Sequence, residues 1–195
     1  MVLRLGRAAL LFLALALVAG ACSDKNLGTQ VTGNTIPVAA PNIRIIPAAD
    51  REPPFTFHHQ SFRFTAKTLD GASISSDVLA GKAAVVNFWG AWCGDCHREQ
   101  PMFDAAFRTF SPKGVVFLGI DVRDPFSADA RSFVDTYKIP YPSVYDPYSD
   151  VAYRFSVVPF PVTYILDTQS RVAAVISSLP ESQKDLNDAI QQVLA

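Results

Sequence analysis

Apolar and polar positions change their period several times along the chain, and each change marks an element. Residues 83–89 (Ala83-Ala84-Val85-Val86-Asn87-Phe88-Trp89) form a near-continuous apolar run, which predicts a central strand covered on both faces. Residues 114–120 contain a second such run, Val115-Val116-Phe117-Leu118. Between them, residues 95–110 place Met102, Phe103, Ala106, Phe107 and Phe110 at helical spacing. Strand, helix and strand in this order predict a right-handed crossover between parallel strands. Upstream, Phe62, Phe64 and Ala66 alternate with Arg63 and Thr65, the period of a half-buried strand, and Asp70-Gly71 turns the chain into Ser73-Ile74-Ser75. Downstream, residues 128–137 carry Phe133, Val134 and Tyr137 on one helical face. Residues 162–166 and 172–176 read as strands joined by the polar turn Asp167-Thr168-Gln169-Ser170, an antiparallel hairpin. Leu186, Ile190, Val193 and Leu194 give a closing helix. The sum is an α/β fold: a mixed central sheet flanked by helices, preceded by a β-hairpin.

The chain has 195 residues, which suits one domain with some additional sequence. With 17 Lys+Arg against 18 Asp+Glu, the net charge of −1 gives no electrostatic reason to expect nucleic acid as a partner. Three cysteines are too few for a disulfide-framed mini-protein.

The first 21 residues carry only Arg4 and Arg7 as charges, followed by an uncharged apolar stretch over residues 8–21. This is the n-region and h-region of an export signal, too short for a relaxed membrane span. Leu17-Val18-Ala19-Gly20-Ala21-Cys22 then resembles a bacterial lipobox, in which Cys22 is lipidated and becomes the mature N-terminus. An ordinary Ala-x-Ala cleavage site with Cys22 incidental is the alternative. Residues 22–54 hold five of the 14 prolines and read as an extended spacer, although Ile43-Arg44-Ile45-Ile46 is apolar enough to pack on the domain. The expected organisation is a signal peptide at 1–21, a lipid-anchored linker at 22–54 and one domain at 55–195. Export with a lipid anchor makes the membrane a partner without a transmembrane helix.

Trp92-Cys93-Gly94-Asp95-Cys96 falls between the predicted central strand and the helix after it. Backbone N–H groups at a helix N-terminus favour Cys93 as a thiolate, and only the thiolate attacks a disulfide. Cys96, one turn further in, is expected to resolve the mixed disulfide formed by Cys93. Trp92 precedes the nucleophile on an exposed turn, where it is expected to contact substrate. Asp121-Val122-Arg123-Asp124 follows the carboxyl end of a parallel strand, which allows a loop near the site, but its charges read more readily as a solvated turn.

With these residues the chain resembles the thioredoxin superfamily, and within it the extracytoplasmic TlpA/ResA-like thiol-disulfide oxidoreductases. The resemblance rests on Leu69-Asp70-Gly71 with Leu79-Ala80-Gly81-Lys82, on Asn87-Phe88-Trp89-Gly90-Ala91-Trp92-Cys93, on Pro101 five residues after Cys96, and on Pro159-Phe160-Pro161-Val162-Thr163-Tyr164. It implies a thioredoxin-like fold with an N-terminal hairpin extension. It implies a cis-proline at Pro161, with Pro159 as the rival, standing beside the cysteines and leaving the main chain of Phe160 to pair with an extended substrate. It also implies a proton-handling carboxylate at Glu99, three residues after Cys96, because the strand position that carries a buried Asp in thioredoxin is Asn87 here. Gly94 and Asp95 fill the two positions between the cysteines. Asp95 is expected to raise the Cys93 pKa and protonated His97 to lower it, and Asp95 departs from the family's common proline.

The resemblance further implies catalysis without a cofactor, and a disulfide-containing client protein, apocytochrome c being the best-known kind. It implies as well a membrane thiol carrier that supplies electrons. A disulfide oxidase or antioxidant thioredoxin of exported proteins, and a non-catalytic docking module, are the competing functions. A zinc site built from Cys93, Cys96, His97 and His58 or His59 lacks a second Cys-x-x-Cys, so no metal is expected. A peroxidatic site is disfavoured by Gly90, where the threonine of that motif would stand.

Overall fold

The computed structural model describes residues 42–51, 64–157 and 159–195. The expected signal peptide, Cys22, His58, His59, Phe62 and Arg63 lie outside the described residues. The elements in chain order are β1 (Ile43–Ile45), β2 (Thr65–Lys67), β3 (Ser73–Ser75), β4 (Ala84–Trp89), α1 (Gly94–Phe110), β5 (Val116–Val122), α2 (Ser127–Tyr137), β6 (Ser143–Asp146), α3 (Asp150–Arg154), β7 (Val162–Leu166), β8 (Val172–Ile176) and α4 (Gln183–Leu194).

Six strands form one sheet in the order β1-β8-β7-β4-β5-β6. β4 lies at its centre, parallel to β5 and antiparallel to β7. All six residues of β4 are buried, because helices and loops cover both faces of the sheet. On one face Val85, Trp89, Phe103, Phe117, Phe133, Leu186 and Ile190 pack together, bringing α1, α2 and α4 onto the sheet. On the other, Val86, Phe88, Leu118, Ile120 and Phe155 form a second layer with Leu79. Phe88 and Trp89 are essentially inaccessible, and full burial of such a side chain contributes about 1.5–3 kcal/mol. The hairpin of β2 and β3 forms a separate two-stranded sheet, docked on β6 by the Leu69 N–H donating to Ser143 O at 2.9 Å.

Two stretches depart from the reading of the sequence. Ile43–Ile45, inside the segment expected as a spacer, is the edge strand β1, with Ile43 opposite Ile176 of β8. Asp121-Val122-Arg123-Asp124 is not a solvated turn. β5 continues through Val122, Asp121 is fully buried, and Asp124 is 3% exposed. Arg123, with φ of 65°, ends the strand in a left-handed conformation that turns the chain back under β4's carboxyl end.

Candidate active site

The carboxyl ends of β4 and β5 and the amino end of β7 converge, and the redox motif sits where they meet. After Trp89 the chain leaves the sheet at Gly90, and the Cys93 N–H donates to Gly90 O at 3.0 Å to close a tight turn. Gly90 is required there: a Cβ would lie 2.4 Å from Nε1 of Trp92, whose indole folds back over it. That Nε1–H donates to Val122 O at 2.9 Å, leaving the indole half exposed at the rim.

Cys93 is the N-cap of α1, and its sulfur accepts the Cys96 N–H at 3.2 Å. It occupies the place of the usual capping oxygen, so one of the helix's unpaired amides points directly at sulfur. Cys93 and Cys96 are joined as a disulfide. Cys93 retains 6% exposure and Cys96 none, so the first cysteine is the one a partner can reach. Gly94 is the first helical residue, and Asp95 is paired with Arg98 on the helix surface. His97 lies across the turn: Nε2–H donates to Ala91 O at 2.8 Å, and Nδ1 stands 2.9 Å from the Tyr137 hydroxyl. The helix continues through Pro101, where a backbone donor is missing.

Glu99 lies on the core side of α1, one turn beyond Cys96, and is 1% exposed. Asn87 Nδ2 donates to its Oε1 at 2.8 Å and to Thr163 Oγ1 at 3.0 Å, so α1 is tied to β4 and β7 through one amide. Asn87 and Thr163 are direct cross-strand partners. Burial raises the Glu99 pKa to about 8, the Asn87 hydrogen bond draws it down, and the negative charge of Asp95 adds a smaller upward push.

The Phe160–Pro161 peptide is cis, and Pro161 is buried at the start of β7. The Phe160 ring meets the Trp92 indole edge-on, with centroids 5.5 Å apart, and the Arg123 guanidinium lies 5.4 Å from its centre. Cys93, Cys96, Glu99, Trp92, Phe160, Pro161, Asp95 and His97 are therefore brought to one end of the sheet. A groove of about 560 Å³ opens beside them, lined by Trp92, His97, Arg123, Asp129 and Phe133 among others. The reading of the sequence missed Thr163, Ala91, Val122, Asp121 and Asp124. Only the last two carried a signal, as acids at the carboxyl end of a predicted parallel strand.

A buried helix-capping sulfur bridged to a second, a buried carboxyl one turn further along the same helix and a cis-proline at the same end of the sheet are the features of a thioredoxin-like thiol-disulfide oxidoreductase. Comparison with known proteins gives the family. Residues 58–175 match the AhpC/TSA family, and the chain belongs to it. The thiol-disulfide oxidoreductase ResA of Bacillus thuringiensis subsp. konkukian is 25% identical over 130 residues, covering 67% of this chain and 74% of that protein. Among solved structures, a DsbF homologue from Corynebacterium diphtheriae superposes with a TM-score of 0.66 at 28% identity, covering 77% of this chain and 92% of that one. A secreted thiol-disulfide isomerase from Corynebacterium glutamicum does so with a TM-score of 0.68 at 28% identity, covering 78% and 92%.

Proposed function

We propose that this enzyme reduces disulfides of exported client proteins through the Cys93/Cys96 dithiol, in the manner of cytochrome c maturation. The observation that carries the reading is the placement of Cys93, which caps α1 with its sulfur on the Cys96 amide while a buried Glu99, its pKa raised toward neutrality by desolvation, lies one turn beyond Cys96.

In the reduced enzyme the Cys93 thiolate attacks one sulfur of the client disulfide, and the client's other sulfur leaves as a thiolate. Cys96 gives its proton to the Glu99 carboxylate and attacks the Cys93 sulfur. The client departs as a dithiol and the enzyme is left as the disulfide, two electrons poorer. A Glu99 with a pKa near 8 suits this step, because a base serves best when its pKa is close to the operating pH. The Trp92 and Phe160 rings and the cis-Pro161 shoulder offer an apolar rim along which an extended client segment can lie. Gly94, Asp95 and His97 set the electrostatics of the cap.

Re-reduction requires a dithiol donor, and in an exported protein that donor is a membrane thiol carrier. The n-region and h-region at residues 1–21 and the lipobox-like run before Cys22 support export and lipid anchoring, and secreted relatives support an extracytoplasmic site of action. A disulfide oxidase is the competing reading, favoured by the likeness to a secreted isomerase. The midpoint potential separates the two: thioredoxin and DsbA differ by about 150 mV, and the reductive reading needs a value near thioredoxin's.

The decisive experiment is a Cys96→Ser trap expressed in cells. The expected result is a mixed disulfide on Cys93 whose partner, identified by mass spectrometry, carries a Cys-x-x-Cys-His haem-binding segment. Absence of any adduct on Cys93 overturns the catalytic reading in favour of a docking module.

A further inference from the structure

The dithiol chemistry makes no use of two carboxyl groups buried beneath the redox turn. Asp121 shares by strand alternation the face of Phe117 and Gly119, which α1 and α2 cover. It is fully buried, and among the described residues neither of its oxygens meets a donor. What it faces is the carboxyl group of Asp124. Asp124, 3% exposed, accepts the Ala91 N–H on Oδ2 at 2.7 Å. Ala91 is two residues before Cys93, and the next residue, Trp92, is held to Val122 O of the same segment.

Two ionised carboxylates cannot share so dry a site, whereas one proton between them converts repulsion into a charge-assisted O–H···O hydrogen bond. Burial pushes Asp121 up to about 10, and the hydrogen bond and charge of Asp124 and the charge of Asp146 add to the effect. Among the described residues, the other titratable and charged groups around the pair are Tyr145 and Asp146 on β6, Tyr148 beyond it, Asp129 and Arg131 on α2, Arg123 in the loop and His97 on α1, with Arg131 donating to Leu69 O and Ser127 Oγ. None of them supplies a donor to Asp121. Arg123 is turned to Ser149 and the Phe160 ring, the Tyr145 hydroxyl donates to the main-chain carbonyl of Asp124, and Asp146 is engaged with the Ala152 N–H.

We propose that Asp121 and Asp124 form a one-proton pair that positions the redox turn: Asp121 donates its O–H to Asp124, Asp124 accepts the Ala91 N–H, and loss of the shared proton loosens the turn that carries Cys93. The proposal rests on Cys93 being the attacking sulfur. Both acids are positioning residues, since they reach the sulfur only through the backbone of residues 91–93. The pair is separate from Glu99, whose hydrogen bond ties it to Asn87 of β4 and through that amide to Thr163 of β7.

The test is the rate of Cys93 alkylation by iodoacetamide, followed from mildly acidic to strongly alkaline pH in a Cys96→Ser background. The parent shows the thiol inflection and a further one in the alkaline range. Asp121→Asn retains an N–H donor to Asp124 and cannot titrate, so the alkaline inflection disappears. Asp124→Ala leaves the Ala91 N–H without its acceptor and raises the thiol midpoint by about one unit, a tenfold smaller thiolate fraction at neutral pH. Asp124→Asn removes the same charge but keeps an acceptor, and does not raise it. The proposal is overturned if Asp121→Asn keeps the alkaline inflection, or if alanine and asparagine at position 124 move the midpoint equally. Should Asp124→Ala fail to fold by thermal melting, the comparison of the parent with Asp121→Asn decides alone. A parent whose Cys93 never alkylates overturns the dithiol reading itself, a result distinct from either of these.

Discussion

Two buried acids flank the redox turn, and they differ in their partners. Glu99 comes from α1, stands behind Cys96 and receives a hydrogen bond from the Asn87 amide. Asp121 comes from β5, lies beneath the turn and faces another carboxyl group. Burial raises both, but the neighbour works against burial at Glu99 and with it at Asp121. One acid is thereby left near neutrality, where a proton can be exchanged during turnover. The other holds its proton through the neutral range and serves as part of the frame. Desolvation sets the direction of a pKa shift, and the hydrogen-bonding partner decides whether the group is placed to react or to hold.

The severest way to break this comparison is to remove the sulfur that both regions serve. Cys93→Ala is expected to lower disulfide reductase turnover at least about a thousandfold, since it removes the sulfur that attacks the client disulfide. Insulin reduction with a dithiol donor measures it. Residual turnover close to wild type would detach both acids from the chemistry.

Next in size is Glu99→Gln, expected to lower turnover about a hundredfold, within the range for a lost general base. Wild-type turnover rises with pH through the Glu99 pKa of about 8, whereas the variant's profile is flat there. Stability gives an independent reading with a definite sign. The folded-state pKa is raised above the ordinary value of 4.5, so the fold favours the neutral acid. Stability contributed by neutral Glu99 is fully present below 4.5, declines as pH rises and is lost above about 8. Wild type therefore loses on the order of a few kcal/mol across that window relative to Glu99→Gln. Urea unfolding at several pH values checks it, and parallel curves for the two proteins would place the titrating group elsewhere.

How much of this was legible in the sequence depended on the length of each pattern. The apolar run ending at Trp89, the helical spacing from Met102 to Phe110 and the hairpin around Asp167-Thr168-Gln169-Ser170 each outlast one period, and the structure has those elements. β1, β6 and α3 have three, four and five residues, too few for a period to register. Pro140, Pro142 and Pro147 around β6 read more readily as loop. The cysteines were accessible from their place at a strand-to-helix junction, and Glu99 from the family resemblance, with helical spacing putting it on the face of Cys96. Asp121 and Asp124 were read as solvated because charge ordinarily marks the surface. Their burial follows from a register that pairs Asp121 with Trp89 and a contact to Ala91 across 33 residues, neither of which a local pattern contains.

A smaller effect sharpens the comparison from the Glu99 side. Asn87→Ala removes the donor that holds Glu99 down, so the Glu99 limb of the pH–rate profile is expected to move upward by about one unit. It also leaves Glu99 Oε1 and Thr163 Oγ1 without that donor, at about 1–3 kcal/mol of stability. The alkaline limb assigned to Asp121 stays where it was. Movement of both limbs together would show that the two acids titrate as one system.

The smallest effect tests whether surface charge reaches these groups at all. Asp95 lies between the cysteines with its side chain 41% exposed and paired with Arg98, and its charge pushes Glu99 upward more weakly than burial does. Asp95→Asn therefore lowers the Glu99 limb by only a few tenths of a unit, because an exposed, ion-paired charge acts through water. The displacement should fade between low salt and about 1 M salt, where the screening length shrinks to roughly 3 Å. A shift as large as that from Asn87→Ala, or one indifferent to salt, would mean that Asp95 acts through the helix cap rather than through its field. The separate tuning assigned to Asn87 would then fail.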